Sequence, residues 1–414
     1  MADEEGDLNS GDGFRRRFQQ AQEHLRATGV DAWLIYDFRG NNAVWRLLLP
    51  DAPLGTRRVF LCVPAEGEPS MLVHDIERTQ FESLPFELEC YADRRALVQS
   101  LQRRCESLNT IAMEYSPMAQ LPTASIVDAG TFELIRSTGV GEVVSSADLI
   151  QICLASWDEA ALASHHRAAA AVDQTRRDAF DFLRSEFACG RGSTEIDVQQ
   201  FILERFAEYG VETGHGPVVG VNAHSGDPHY TPDVTSSRPI GPGDWVLIDL
   251  WARMPERGSV FADSTWVAYA GERLPQRYAS VFDIVREARD LVIQHCQASH
   301  GRTDVAGGAQ APCGWELDRL ARDHIAAAGY GNEHFPHRTG HSLSPGEHVH
   351  GMGVNLDDLE SKDTRRLVPG CGFTVEPGIY LPEFGVRLEV DVFVDPHHGP
   401  LVTTQVQEEV VLLY

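Results

Sequence analysis

The sequence predicts an α/β (α+β) protein of two domains, the second of which repeats itself about an approximate twofold. Three observations lead there. Helix and strand patterns alternate through roughly the first 150 residues. From residue 157 onward, an order of two helices followed by two strands occurs twice, with matched motifs 126 or 127 residues apart. The 414-residue chain is 43% hydrophobic and 23% charged, which suits a globular protein with material for more than one core.

Taken in order, residues 1–13 are acidic, carry no apolar pattern, and are expected to form a disordered tail rather than a signal peptide. A first domain is expected over 14–156. Phe14 to Thr28 reads as a helix closed by Gly29, and DAWLIYD (31–37) as a buried strand. RRVFLCV (57–63) and PSMLVHD (69–75) flank AEGE as a hairpin; a helix near 92–106 then leads to a strand over 110–116. Tyr36, Arg39 and Asn41 read as surface polar residues. The second domain, 157–414, opens with a helix to about Phe187. Another follows from Thr194, which caps it with Asp197, to Tyr209-Gly210. Helices over about 277–299 and 315–328 form the second pair.

No apolar run approaches the 18 or so residues of a transmembrane helix. The eight cysteines are scattered without C-x-x-C spacing, so reduced, packed thiols and a cytoplasmic location are expected. The net charge is −26, and all basic residues but Lys362 are arginine. Such a chain is repelled by nucleic-acid phosphates, which excludes them as partners.

The repeat carries the chemistry. TGH at 213–215 recurs at 339–341, and GPGDWVLID (241–249) recurs as VPGCGFTVE (368–376). In both copies an acid falls seven residues after the Pro, Asp249 and Glu376, and a second acid follows 14 or 13 residues later, Asp263 and Glu389. Each half therefore presents two carboxylates that can face each other across an antiparallel pair. Two halves about a twofold bring four to one centre. Four crowded anions require cations, and a pair of divalent metals that activates water is the simplest remedy. Histidine is concentrated about fivefold in windows 211–230 and 331–350, which hold positions 215, 224, 229, 334, 337, 341, 348 and 350. His165-His166 and His397-His398 lie outside these windows and read as solvated.

LID (247–249), ADSTW (262–266), HRTGH (337–341), TVEPGIY (374–380) and GVRLE (385–389) resemble the motifs of the pita-bread metallopeptidases. These include prolidase, aminopeptidase P and methionine aminopeptidase, with creatinase as a metal-free relative. The resemblance covers about 157–414, and the preceding domain looks like the N-terminal domain of the prolidase and creatinase branch. It implies a pita-bread fold and two divalent metals held by Asp249, Asp263, His341, Glu376 and Glu389, with Asp263 and Glu389 bridging. Glu376 would shuttle a proton from the bridging water to the leaving amine. His229, in PHYTP, would contact substrate and steady the tetrahedral intermediate. Mn²⁺ suits a mostly oxygen donor set, and Co²⁺, Zn²⁺ or Fe²⁺ also fit. The resemblance further implies a small peptide substrate of Xaa-Pro type and a homodimer.

The chain departs from the family pattern in several places. Leu250 and Trp251 follow Asp249 where Gly usually stands two residues on, and the Asp–Asp spacing is longer. The downstream active-site histidine is His348 by position and His350 by its VHG context. Arg338 stands where a small residue is common; with Arg387 it is a candidate to hold a substrate carboxylate, which would favour dipeptides. Three readings compete with the Xaa-Pro peptidase: a related metal-dependent C–N hydrolase, a non-catalytic pita-bread binding module, and a serine hydrolase built on GHSLS (340–344). In GHSLS, Ser344 takes the last Gly position of the nucleophile elbow. The binding module would show lost ligands, and none is missing.

Overall fold

A computed structural model describes residues 11–300 and 311–414. The chain divides into two compact units, Met1–Leu154 and Ala155–Tyr414. Most of the expected tail falls on residues 1–10, outside the described residues. The first helix, Gly11–Thr28, starts three residues ahead of the expected Phe14 and ends at Gly29, whose φ of +70° reverses the chain.

Unit 1 is built on a mixed six-stranded sheet. Across the sheet the strands run Glu87–Tyr91, Ser70–His74, Arg58–Pro64, Ala32–Phe38, Thr110–Met113, Glu142–Ser145. The hairpin expected around AEGE is present, with Leu61 opposite Met71. Between this sheet and the helices Arg94–Cys105 and Ala129–Arg136 lies a core that includes Leu34, Phe60, Leu101 and Ile135. Glu114 is fully buried in this unit. It accepts hydrogen bonds from Trp33 Nε1 at 2.7 Å, Asn42 Nδ2 at 2.9 Å and Ser146 Oγ at 3.2 Å. Burial outweighs these donors and pushes its pKa up to about 7.

Unit 2 repeats one plan twice. The helix Glu159–Ala188 is capped by Asp158, which accepts from Ala161 N–H at 2.9 Å. The next, Glu195–Tyr209, begins with the expected Thr194–Asp197 capping box and ends on Gly210 at φ +71°. This pair packs on the sheet of Val218–Val221, Trp245–Ala252, Ala262–Tyr269 and Val411–Leu412. The helices Gln276–Ser299 and Gly314–Ala327 pack on the sheet of Ser342–Leu343, Gly372–Val375, Val390–Asp395 and Gly399–Val402. The Pro-Gly turns entering the two central strands share one conformation, with Gly243 at φ +90° and Gly370 at φ +87°. Among the described residues, no helix is long and apolar enough to cross a membrane.

The TGH match is less symmetric. A Cβ on Gly340 would sit 1.9 Å from Thr374 O, whereas one on Gly214 would meet nothing within 4 Å. His341 is buried and His215 exposed. The second copy is itself bonded to the sheet, through Thr374 N–H to His341 O at 2.9 Å and Glu376 N–H to Thr339 O at 2.7 Å, whereas beside the first copy the backbone bridge is made by the preceding Glu212, with Arg253.

Candidate metal centre and substrate cavity

The strand bearing Asp249 pairs antiparallel with the strand bearing Asp263, but the two acids are not opposite each other. Asp249 stands across from Thr265 and Asp263 across from Trp251, so the acids are diagonal neighbours on one face. This corrects the expectation of facing carboxylates in the first half. Both strands continue regularly to the Ala252–Ala262 rung, which places Asp249 inside the ladder. In the second half the pairing ends at Val375 opposite Val390, and Glu376 and Glu389 take the next rung position.

The halves meet at these acids. Glu389 N–H donates to Thr265 O at 3.2 Å, and Asp263 N–H donates to Asp391 Oδ2 at 2.9 Å. Potential ligand atoms of Asp263, His341 and Glu389 all lie within 4.8 Å of one another, and all three residues are buried. His341 Nε2 is 3.5 Å from Asp263 Oδ2 and 3.7 Å from Glu376 Oε1. With Nδ1 donating to Ser342 O at 3.2 Å, Nε2 turns its lone pair to the acids.

Burial first, and then neighbouring carboxylates, raise Asp263 and Glu389 well above the usual carboxylate range and Glu376 to about 8, against the opposing charge of Arg387. Burial, and then Arg338, hold His341 down to about 3. Asp263 Oδ1 is buried without a hydrogen-bond partner. Crowded acids, a neutral imidazole and an orphaned carboxylate oxygen together fit divalent cations, which would let the acids ionise. Mostly oxygen donors with one nitrogen suit a hard or borderline metal.

Around the cluster lies a cavity of about 520 Å³, lined also by His229, Tyr230, Trp251, His337, Arg338 and His350. Asp249, Asp263, His341, Glu376, Arg387 and Glu389 all reach its wall. His350 lines it and lies against His341 with ring centroids 4.1 Å apart and planes tilted at 42°; His348 and His350 are both exposed, and of the two only His350 belongs to the lining. Arg338 Nη2 donates to His350 Nδ1 at 3.2 Å. Arg387 is committed inward: Nη2 donates to Asp249 Oδ2, Nε to Thr265 Oγ1 at 3.0 Å, and Nη1 to Tyr380 Oη at 3.2 Å. Of the two candidate arginines, Arg338 is thus the one with a freer guanidinium.

The motifs alone assign no role to Thr265, whose hydroxyl lies 2.9 Å from Asp249 Oδ1 and 2.7 Å from Glu389 Oε2. Nor do they assign one to His337, whose Nε2 is 2.7 Å from Tyr380 Oη. Both had signals: Thr265 stands two residues after Asp263, hence on the same strand face, and His337 opens HRTGH. His165 corrects a prediction outright. It is fully buried, with Nδ1 2.9 Å from Phe261 O and Nε2 2.7 Å from Thr403 Oγ1, and burial lowers its pKa to about 4. His166, His397 and His398 are exposed. Tyr36 and Asn41 line a separate cavity of about 550 Å³ in unit 1, which contains no histidine and one acid, Asp128.

A mixed α/β fold of two matched halves, closed around a buried acid and histidine cluster, defines a pita-bread protein with a candidate metal centre. Residues 163–396 match metallopeptidase family M24, and the chain belongs to that family. It is 33% identical over 206 residues to an uncharacterized peptidase of Staphylococcus aureus (strain USA300), covering 49% of this chain and 51% of that one. The chain thus aligns with about half the length of the curated relatives it matches. Among solved structures it is similar to a recombinant prolidase from Thermococcus sibiricus, with a TM-score of 0.61 and 22% identity over 96% of this chain and 99% of that one. It is also similar to a cytosolic X-prolyl aminopeptidase with a di-nuclear active site from Caenorhabditis elegans. There the TM-score is 0.63 and the identity 19%, over 96% of this chain and 63% of that one. At these identities the likenesses establish the fold.

Proposed function

We propose that the chain is a metallopeptidase that hydrolyses the N-terminal peptide bond of Xaa-Pro substrates, dipeptides foremost, with two divalent metals held by Asp249, Asp263, His341, Glu376 and Glu389. The observation that carries this reading is the convergence of those five side chains on the wall of one cavity, with Asp263, His341 and Glu389 within ligating distance of one another. Bound there, the metals supply Lewis acidity and a nucleophilic water at neutral pH. The prolidase and X-prolyl aminopeptidase names among the structural likenesses support the proline preference, and the di-nuclear site named for one of them supports the count. Mn²⁺ is the favoured ion on donor chemistry.

In this reading Glu376, beside His341, carries the proton to the leaving amine. His229, exposed on the cavity wall, holds the scissile carbonyl oxygen as charge develops on it. Between the two histidines left open by the motif, His350 is the active-site member. Arg338 takes the substrate carboxylate, which favours dipeptides, while Arg387 orients Asp249. A cytoplasmic homodimer is the setting the family resemblance implies.

The test is metal content together with chelator-reversible, Mn²⁺-dependent hydrolysis of Xaa-Pro dipeptides and longer Xaa-Pro peptides. About two metals per chain and cleavage of dipeptides are expected. Cleavage of longer peptides alone would remove the role given to Arg338, and failure to retain any metal after loading would sink the mechanism.

A further inference from the structure

A fully buried carboxyl group outside the cavity gathers its hydrogen-bond donors from the segment that carries His229. Glu195, the first residue of its helix, accepts from donors drawn from a single later stretch of chain, 221–238. Oε1 takes Val221 N–H at 2.7 Å, and Oε2 takes Tyr230 Oη at 2.6 Å and Arg238 N–H at 2.8 Å. His224 Nδ1 lies 2.9 Å from both oxygens. No arginine or lysine among the described residues pairs with Glu195, so these donors alone satisfy it. A buried carboxyl group whose donors all come from one stretch fixes one arrangement of that stretch, because losing any one donor leaves a buried oxygen with an unmet hydrogen bond.

That stretch carries Pro228, His229, Tyr230 and Thr231 to the cavity wall. The His229 imidazole has no hydrogen-bond partner among the described residues; only its backbone N–H is bonded, to Asp227 Oδ1 at 3.0 Å. Where the ring is anchored, and the directions open to it, therefore depend on the backbone of 227–230. The Tyr230 hydroxyl ties that backbone to Glu195, and the His224 ring stacks on Tyr230 with centroids 4.1 Å apart and planes at 26°. On the other side Ser225 Oγ accepts Gly385 N–H at 2.9 Å, and a Cβ on Gly385 would lie 2.0 Å from Ser225 O, so the segment has no room to slide.

We propose that Glu195 is a positioning residue that, through Tyr230 and His224, aims His229 into the substrate cavity. The proposal rests on the reading of His229 as the group facing substrate. Glu195 itself does not line the cavity.

The experiment uses the full-length, metal-loaded protein with Glu195→Gln, His229→Ala and the double variant. Glu195→Gln keeps the shape and turns one oxygen into a donor set against the Tyr230 and Arg238 donors. The expected result is a loss of kcat on an Xaa-Pro dipeptide of about 10-fold or more, at unchanged metal content. Adding Glu195→Gln to His229→Ala is expected to cost nothing further. Should Glu195→Gln fail to fold, His224→Ala, which removes one donor and the stacked ring outside the cavity, is expected to show the same pattern with a smaller loss.

A second readout needs no turnover: the His229 ring ¹³C–¹H signal, assigned by its absence in His229→Ala, is expected to move in Glu195→Gln. An unmoved signal, or losses that add in the double variant, would overturn the positioning role while leaving the peptidase reading intact. A shifted signal without any Xaa-Pro hydrolysis would support the positioning and overturn the substrate assignment. Full activity of His229→Ala would remove both the role of His229 and this proposal.

Discussion

Thr265 has one hydroxyl proton and two carboxylate oxygens competing for it, Asp249 Oδ1 and Glu389 Oε2, while Arg387 Nε donates to Thr265 Oγ1 itself. One small neutral side chain thus ties an acid from each half to the buried arginine. Thr265→Val keeps the shape and removes the tie; divalent-metal affinity measured by calorimetry is expected to fall about 10- to 100-fold. The acids and His341 were legible in the sequence because charge in a repeated motif is conspicuous. The strand face of Thr265 was legible from its spacing to Asp263, but its bonds, like the burial of His165, were not, since a hydroxyl or an imidazole acquires its role from register and burial. Glu114 makes the same point in unit 1. Its folded pKa of about 7 lies above the ordinary glutamate value of 4.5, so between those values the folded chain holds a proton that the unfolded chain has lost. Stability from this group is present in full below about 4.5, declines as pH rises towards about 7, and is absent above it. The difference in unfolding free energy between wild type and Glu114→Gln, measured by urea melts at several pH values, is expected to change across that window by on the order of 3 kcal/mol.

At the scale of elements, the helices, the first hairpin and the two Pro-Gly strands were readable from periodicity and turn residues. The diagonal placement of Asp249 and Asp263 was not, because a spacing of 14 against 13 residues does not reveal how far a ladder continues before its loop. The two TGH segments are identical in letters and unlike in role. Gly340 lets the His341 backbone approach Thr374, while Gly214 borders open space. Gly340→Ala is expected to cost several kcal/mol, because a Cβ 1.9 Å from a carbonyl oxygen forces the segment off the sheet. Gly214→Ala, in open space, is expected to leave the melting temperature nearly unchanged. Thermal melts of the two variants side by side check both.

Across the whole molecule, the candidate ligands span Asp249 to Glu389, two halves of one unit joined at the site by the Glu389–Thr265 and Asp263–Asp391 bonds. A cation bound there favours the docked state alone. Saturating divalent metal is expected to raise folding stability by about 2.7 kcal/mol per site at 100 times its dissociation constant, read as a melting temperature that climbs with free metal. The same long separation fixes when in folding the ion can act. No local hairpin holds the full donor set, and the final approach of Glu389 to Thr265 closes a loop of more than a hundred residues. The ion therefore lacks its full donor set until the halves have already met. Chelated and metal-loaded chains are expected to refold at the same rate and to differ in how fast they unfold, so the metal acts as a latch rather than a template.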